Sequence, residues 1–159
     1  MDLNQKLSPN FSLSEMIKSE TAARRDLDNT PGEAEVENLR KLAENVLQPV
    51  RNHYARGVKV NSGYRAPDVN AAVGGSRTSD HCKGQAADIE IPGVANADLA
   101  QWIVDNCDFR QVILEFYTPG IPDSGWVHVS YKRDGSNRKK AITAVKENGK
   151  TVYKPGLIA

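Results

Sequence analysis

The sequence predicts an α+β fold in which N-terminal helices pack on a small antiparallel sheet. Three observations carry that expectation. A segment from about residue 31 to residue 54 repeats its apolar residues at helical spacing. Several later segments alternate apolar and polar residues, as half-buried strands do. Helices and strands are segregated along the chain, and the later strands are joined by turn-rich hairpin connections. The 159 residues suffice for one domain with a real core. The reading is therefore a single domain over 1–159, with a helical lead-in over 1–30 and a C-terminal β-hairpin over 132–159.

The elements follow in order. SLSEMIKS predicts a short helix, with Ser12 or Ser14 as its cap ahead of Met16 and Ile17. In the next segment Thr30, Pro31 and Glu33 read as a capping box with proline at the first helical position. Val36, Leu39, Leu42, Ala43, Val46, Leu47 and Val50 then form an apolar stripe that predicts a helix to about Tyr54. Arg40, Lys41 and Glu44 fall on its wet side. His53, seven after Val46, falls on the stripe and reads as a packed histidine. Val58 and Val60 suggest a short strand, and Gly74-Gly75 ends a small helical turn. AADIEI alternates, with Ala87, Ile89 and Ile91 on one face and Ala86, Asp88 and Glu90 on the other. NADLAQWIVDNC predicts a helix capped by Asn96. RQVILEFY and GWVHVSYK predict two strands joined through TPGIPDS, and Asn148-Gly149 predicts the turn of a last hairpin.

Composition narrows the function. Lysine and arginine total 21 against 20 aspartates and glutamates, so no strongly basic face is forced and nucleic acid is not an expected partner. No apolar run reaches membrane-spanning length, and no stable membrane insertion is expected. The first residues lack a basic region followed by an apolar one, which predicts no secretory signal and synthesis in the cytoplasm. Cys82 and Cys107 are too few for a disulfide framework and are expected as free thiols.

The chemistry concentrates around SDHCKGQAAD. His81 and Asp88 stand seven apart with Gly84 between them. A glycine and a strand pattern from Ala86 argue against one helix. A loop bearing His81, a bend at Gly84 and a strand bearing Asp88 can instead aim both side chains at one point. An imidazole and a carboxylate make an incomplete zinc site, since a catalytic zinc usually takes three protein ligands and leaves a fourth position open. The chain has only three histidines. His128 in GWVHVSY points away from Val127 and Val129, and is the better third ligand than His53. A general base is then needed. Glu115 shares a strand face with Ile113 and Tyr117 and, in a hairpin, shares the side of His128. Asp123 in the connecting loop is the rival, and Glu90 a weaker one; alone, each of these two reads as a solvated charge. Arg65 in SGYRAP is suited either to a substrate carboxylate or developing oxyanion, or to a structural ion pair. Cys82 points opposite to His81 on an extended segment and reads as small and partly buried.

The pattern Ser79-x-His81-x-x-Gly84-x-Ala86-x-Asp88, preceded by SGYRAPDVNAAVGG and followed by WVHVS, resembles the M15 family of zinc peptidases. It is similar in particular to small phage and prophage members that act on peptidoglycan. The likeness extends over FSLSEM, TAARRDLDNTP and the long helix. The resemblance implies Zn²⁺ held by His81, Asp88 and His128. It implies an α+β fold shared with D-Ala-D-Ala carboxypeptidases and the hedgehog signalling domain, and hydrolysis of bonds involving D-amino acids in cell-wall stem peptides. Arg65 matches the family arginine that contacts substrate, and Ser79 is expected to brace the loop or touch substrate. One position departs. Several members carry a catalytic acid three residues before the last histidine, where this chain has Gly125. The base expected in its place is Glu115, in a LEF segment similar to that of the small phage members.

The expected protein is thus a zinc metallopeptidase, endolysin-like or DD-carboxypeptidase-like, acting as a monomer on peptidoglycan stem peptides. It would reach the wall after phage-induced permeabilisation of the membrane. The alternatives are a non-catalytic zinc or cell-wall-binding module of a virion, and a cytoplasmic D-Ala-D-Ala dipeptidase.

Overall fold

A computed structural model describes residues 1–158. The chain opens with a short antiparallel pair, β1 (Lys6–Ser8) and β2 (Phe11–Ser12), so the lead-in is not wholly helical. Buried Gln48 holds this pair: its Oε1 accepts from the Ser8 hydroxyl at 2.8 Å and from the Asn10 N–H at 2.9 Å. Helix α1 (Leu13–Ile17) has Ser12 as N-cap, and Glu15 Oε1 reaches back to the Ser12 N–H at 3.4 Å. Helix α2 (Glu20–Arg24) is capped by Ser19, whose oxygen accepts from the Ala22 N–H.

The long helix runs as α3 (Glu33–Leu42), a π-helical turn (Ala43–Leu47) and α4 (Gln48–Tyr54). Its first residue is Glu33 behind Gly32, not a Thr30 capping box. Asp28 Oδ1 takes the Thr30 N–H at 2.9 Å, a local turn that competes with the cap. The π turn widens the helix locally and advances the buried stripe by one position. Tyr54 is therefore half-buried, while His53 is exposed and stacks on Trp102 at 4.5 Å between ring centroids. The expected packed histidine is a surface one.

Six strands form the main sheet: β3 (Lys59–Ser62), β4 (Ala86–Glu90), β5 (Gln111–Glu115), β6 (Trp126–Ser130), β7 (Lys140–Glu147) and β8 (Lys150–Pro155), in the order β3-β4-β6-β5-β7-β8. All neighbours are antiparallel except β5 and β7, which are parallel. The α+β expectation holds, while the sheet is mixed. The chain leaves β6, passes β5 and enters β7 on its far side, and that crossing sets the direction of β7. Helices α5 (Pro67–Ala72) and α6 (Asn96–Asn106) complete the set. Ala95, not Asn96, is the N-cap of α6. The Asn96 amide is buried and instead donates to the carbonyls of Ser124 and Gly125, fastening the β5–β6 connection.

Period-two alternation decides the two sides of this sheet. Ala87, Ile89, Val112, Leu114, Val127 and Val129 face the helices and join one core with Leu39, Leu42, Val46, Leu99 and Ile103. Each fully buried Leu, Ile or Phe contributes about 1.5–3 kcal/mol of transfer free energy, so this core stabilises the fold by hydrophobic burial alone. Asp88, Ile113, Glu115, Trp126 and His128 occupy the opposite face. No helix is long and apolar enough to cross a membrane among the described residues.

Candidate metal centre and active site

Register brings the first two ligand candidates together. Asp88 on β4 lies directly opposite His128 on β6, so both side chains leave the same face of the sheet. His81 comes from a 3₁₀ turn (Asp80–Lys83) that ends at Gly84. Gly84 has φ +71°, and a Cβ there would stand 2.5 Å from the Glu35 carbonyl oxygen on α3. Glycine is therefore required for the bend that swings His81 back over β4. Ser79 caps the turn, its oxygen accepting from the His81 N–H at 3.2 Å.

The ligand atoms of His81, Asp88 and His128 all lie within 4.8 Å of one another. Asp88 serves both rings: Oδ1 is 3.0 Å from His128 Nδ1, and Oδ2 is 3.4 Å from His81 Nε2. The rings meet edge to face with centroids 5.2 Å apart. His81 is 3% exposed, and its Nδ1 lies 2.6 Å from the Gly63 carbonyl oxygen. A carbonyl can only accept, so His81 Nδ1 donates to it, and Nε2 is the nitrogen left to face Asp88. Burial raises the cost of ionising Asp88, but hydrogen bonds from His128 and His81, with their charges, outweigh it. They hold the carboxyl well below the usual carboxylate range.

Two nitrogens and a carboxylate that converge in this way are the donor set of a three-coordinate protein site for zinc or a similar borderline cation. The Gly63 carbonyl that accepts from His81 Nδ1 orients the ring for the same chemistry. His81 would bind through Nε2 and His128 through Nδ1.

Glu115 lies on the same face, opposite Trp126 and diagonal to His128. It is half-buried beside a small apolar cluster of Ile113, Ile142, Ala144 and Phe116. Burial raises its carboxyl above the ordinary glutamate value, with His128 and Arg65 opposing and Asp88 adding to the rise. The indole Nε1 of Trp126, stacked edge-on against Phe116, is buried without a hydrogen-bond partner. Asp123 lies in the exposed β5–β6 connection, against a separate cavity of about 210 Å³ shared with Glu90 and Asn96. Glu90 is occupied by the amides of Asn61 at 2.7 Å and Asn96 at 3.3 Å.

Gly125 explains the departure at that position. Its φ is +64°, and an added Cβ would fall 1.8 Å from the Glu115 carbonyl oxygen. Phe116, just past the end of β5, also has positive φ, at +55°. No side chain, acidic or otherwise, fits this close approach to the Glu115 carbonyl. The carboxyl that the chain does present nearby is Glu115.

Arg65 follows a segment held on several sides. The Tyr64 N–H donates to the Met16 carbonyl at 2.7 Å, and the Arg65 N–H to the His81 carbonyl at 3.0 Å. Asn29 clamps the same segment, donating to Ile17 O and Tyr64 O and accepting from the Ala66 N–H at 2.7 Å. Arg65 makes no ion pair among the described residues, and its Nε is buried without a partner. Its charge acts on Glu115 and on Cys82, whose thiol is half-buried and free; Cys107 is buried and free.

Sequence reasoning missed two supports. Asn29 carried no signal beyond its place in a turn-rich stretch. Buried Asp80, next to His81, is paired with Arg110 thirty residues away. The pairing of Asp80 with Arg110 has no local pattern that could have marked it.

Comparison with known families matches residues 9–130 to peptidase M15. The chain belongs to the peptidase M15 family. The match runs from β2 to the end of β6 and so contains every residue of the cluster. M15 peptidases are metallopeptidases, and His81, Asp88 and His128 are the group with which this one can hold an ion. No curated protein matches the chain.

Proposed function

We propose that this M15 peptidase is a zinc enzyme that hydrolyses peptide bonds in the stem peptides of bacterial peptidoglycan. The observation that carries the reading is one sheet face on which His81, Asp88 and His128 converge, with the raised carboxyl of Glu115 beside them. When bound there, Zn²⁺ supplies Lewis acidity, acidifying water and polarising an amide carbonyl. Glu115 accepts the proton of the attacking water. It returns that proton to the amide nitrogen as the C–N bond breaks, leaving a carboxylate and an amine. Its burial favours this role, because a raised pKa makes the carboxylate a stronger base toward the attacking water. Arg65, unpaired and held by its backbone, steadies the developing oxyanion or a substrate carboxylate. Ser79 acts through His81, bracing the turn. The protein is read as a monomer that acts on the wall from the cytoplasmic side once the membrane is permeabilised.

The test pairs metal analysis with digestion of purified sacculi, read by mass spectrometry. One zinc per chain and release of cleaved stem peptides are expected, both lost in His81→Ala. Sacculus binding with no released fragments would instead identify a wall-binding module, and cleavage of free D-Ala-D-Ala alone a dipeptidase.

A further inference from the structure

One cavity among the described residues does not lie over the metal centre itself. It is an open groove of about 430 Å³ along the outer edge of β3. Strand β3 is the end of the six-stranded sheet: one edge pairs with β4, and the other has no strand partner among the described residues. Lys18 and residues of α2 line the same groove. Lys18, Arg24, Lys59 and Arg65 line it, with Glu20 as the acid among its lining residues. None of those four cations is in an ion pair among the described residues. Lys59 alone could be read as a charge that keeps an edge strand from self-association. Lys18 and Arg24 cannot, because they lie outside the strand yet line the same groove.

The groove leads to the chemistry. Ser62, at the end of β3, is opposite Asp88, and the next carbonyl, Gly63 O, is the partner of His81 Nδ1. Arg65 belongs to both places: it lines the groove, and its charge acts on Glu115. A free strand edge offers backbone donors and acceptors to an extended chain. Four residues of strand span about 13 Å, so such a chain would be gripped over several residues before it reached the ligands. An excess of unpaired cations calls for carboxylates on that chain.

We propose that the outer edge of β3 binds an extended, carboxylate-bearing peptide by strand addition, with Lys18, Arg24 and Lys59 pairing its carboxylates, and directs it past Arg65 to the metal centre. This rests on the reading of the chain as a stem-peptide hydrolase, and it assigns the free carboxylates of the stem as the feature selected.

The experiment needs no turnover. A fluorescein-labelled stem peptide with free carboxylates and its carboxamide analogue are titrated by anisotropy against the full-length metal-free protein. The acidic peptide should bind about three- to tenfold more tightly than the amide, a gap that Lys18→Ala/Lys59→Ala and high salt both narrow, as expected of exposed ion pairs. Amide NMR shifts on binding should fall on residues 59–62. Equal binding of the two peptides, or an undiminished gap in the double variant with an unchanged melting temperature, overturns the proposal. Sacculus digestion read in parallel separates the two ideas. Selective binding without released fragments keeps the groove and removes the hydrolase. Released fragments without carboxylate selectivity keep the hydrolase and remove the groove.

Discussion

Asp88 is the residue on which the site turns, because each of its oxygens faces one imidazole. The carboxylate stays ionised, and the two nitrogens aim at the space it shares with them. Glu115, by contrast, sits where burial makes ionisation harder. A base must be ionised to accept a proton, so activity is lost as pH falls through a raised pKa. In the metal-free protein Glu115 should therefore titrate above the ordinary glutamate value of about 4.3, as read by carboxyl NMR shifts. Glu115→Gln should keep its metal, measured by elemental analysis, and lose about 10²–10⁴-fold in turnover. The same raised pKa means that the fold prefers the neutral side chain, and stability falls as pH rises through that window. The glutamine variant should then melt no lower than the parent at neutral pH. If Asp123→Asn abolishes turnover and Glu115→Gln does not, the base is Asp123. At this scale His81 and Asp88 were legible as candidate ligands, because a histidine, a glycine and an aspartate at loop-to-strand spacing can aim two side chains at one point. The Asp80–Arg110 pair was not, since nothing local distinguishes a buried aspartate from a solvated one.

The antiparallel crossing of β5 and β6 places these residues by register. Ile113 opposes His128 and Glu115 opposes Trp126, so one slipped residue would turn Glu115 into the core. Gly125 and Phe116, both at positive φ, stand where the connecting loop joins the two strands. Gly125→Ala should cost about 2–4 kcal/mol from strained backbone and overlap with the Glu115 carbonyl. The loss should be visible as a lowered denaturant midpoint, with activity falling alongside it. Retention of full stability would mean that the crossing adopts another geometry. Strand existence and facing were readable from alternation alone. Helix caps were less so: Thr30 and Asn96 have the right chemistry for capping, but Asp28 and the Ser124–Gly125 carbonyls engage their groups first. The π turn was likewise invisible, and it displaced His53 from the stripe on which simple helical spacing put it.

Across the whole molecule, the core and the metal centre lie on opposite faces of one sheet. The core residues are buried without help from the ligands, so the metal is not needed as a folding staple. Chelation should abolish activity yet leave a cooperatively folded chain by circular dichroism. Restoring Zn²⁺ at a hundredfold excess over its Kd should add about 2.7 kcal/mol, or roughly 5–10 °C in Tm for a chain of this size. Complete unfolding on chelation would contradict this division between core and site.

By itself, the sequence determined the α+β class, the long helix and the sided strands, because periodicity is a local property, and it marked His81, Asp88 and His128 as candidate ligands with the help of a family resemblance. Only the tertiary structure decided that β7 runs parallel to β5, that Gly125 can bear no acid, that Asn29 and Arg110 hold the site's supports, and that a cationic groove follows β3. Each of these depends on which distant segments meet, and such meetings are set by packing of the whole chain rather than by any stretch of it.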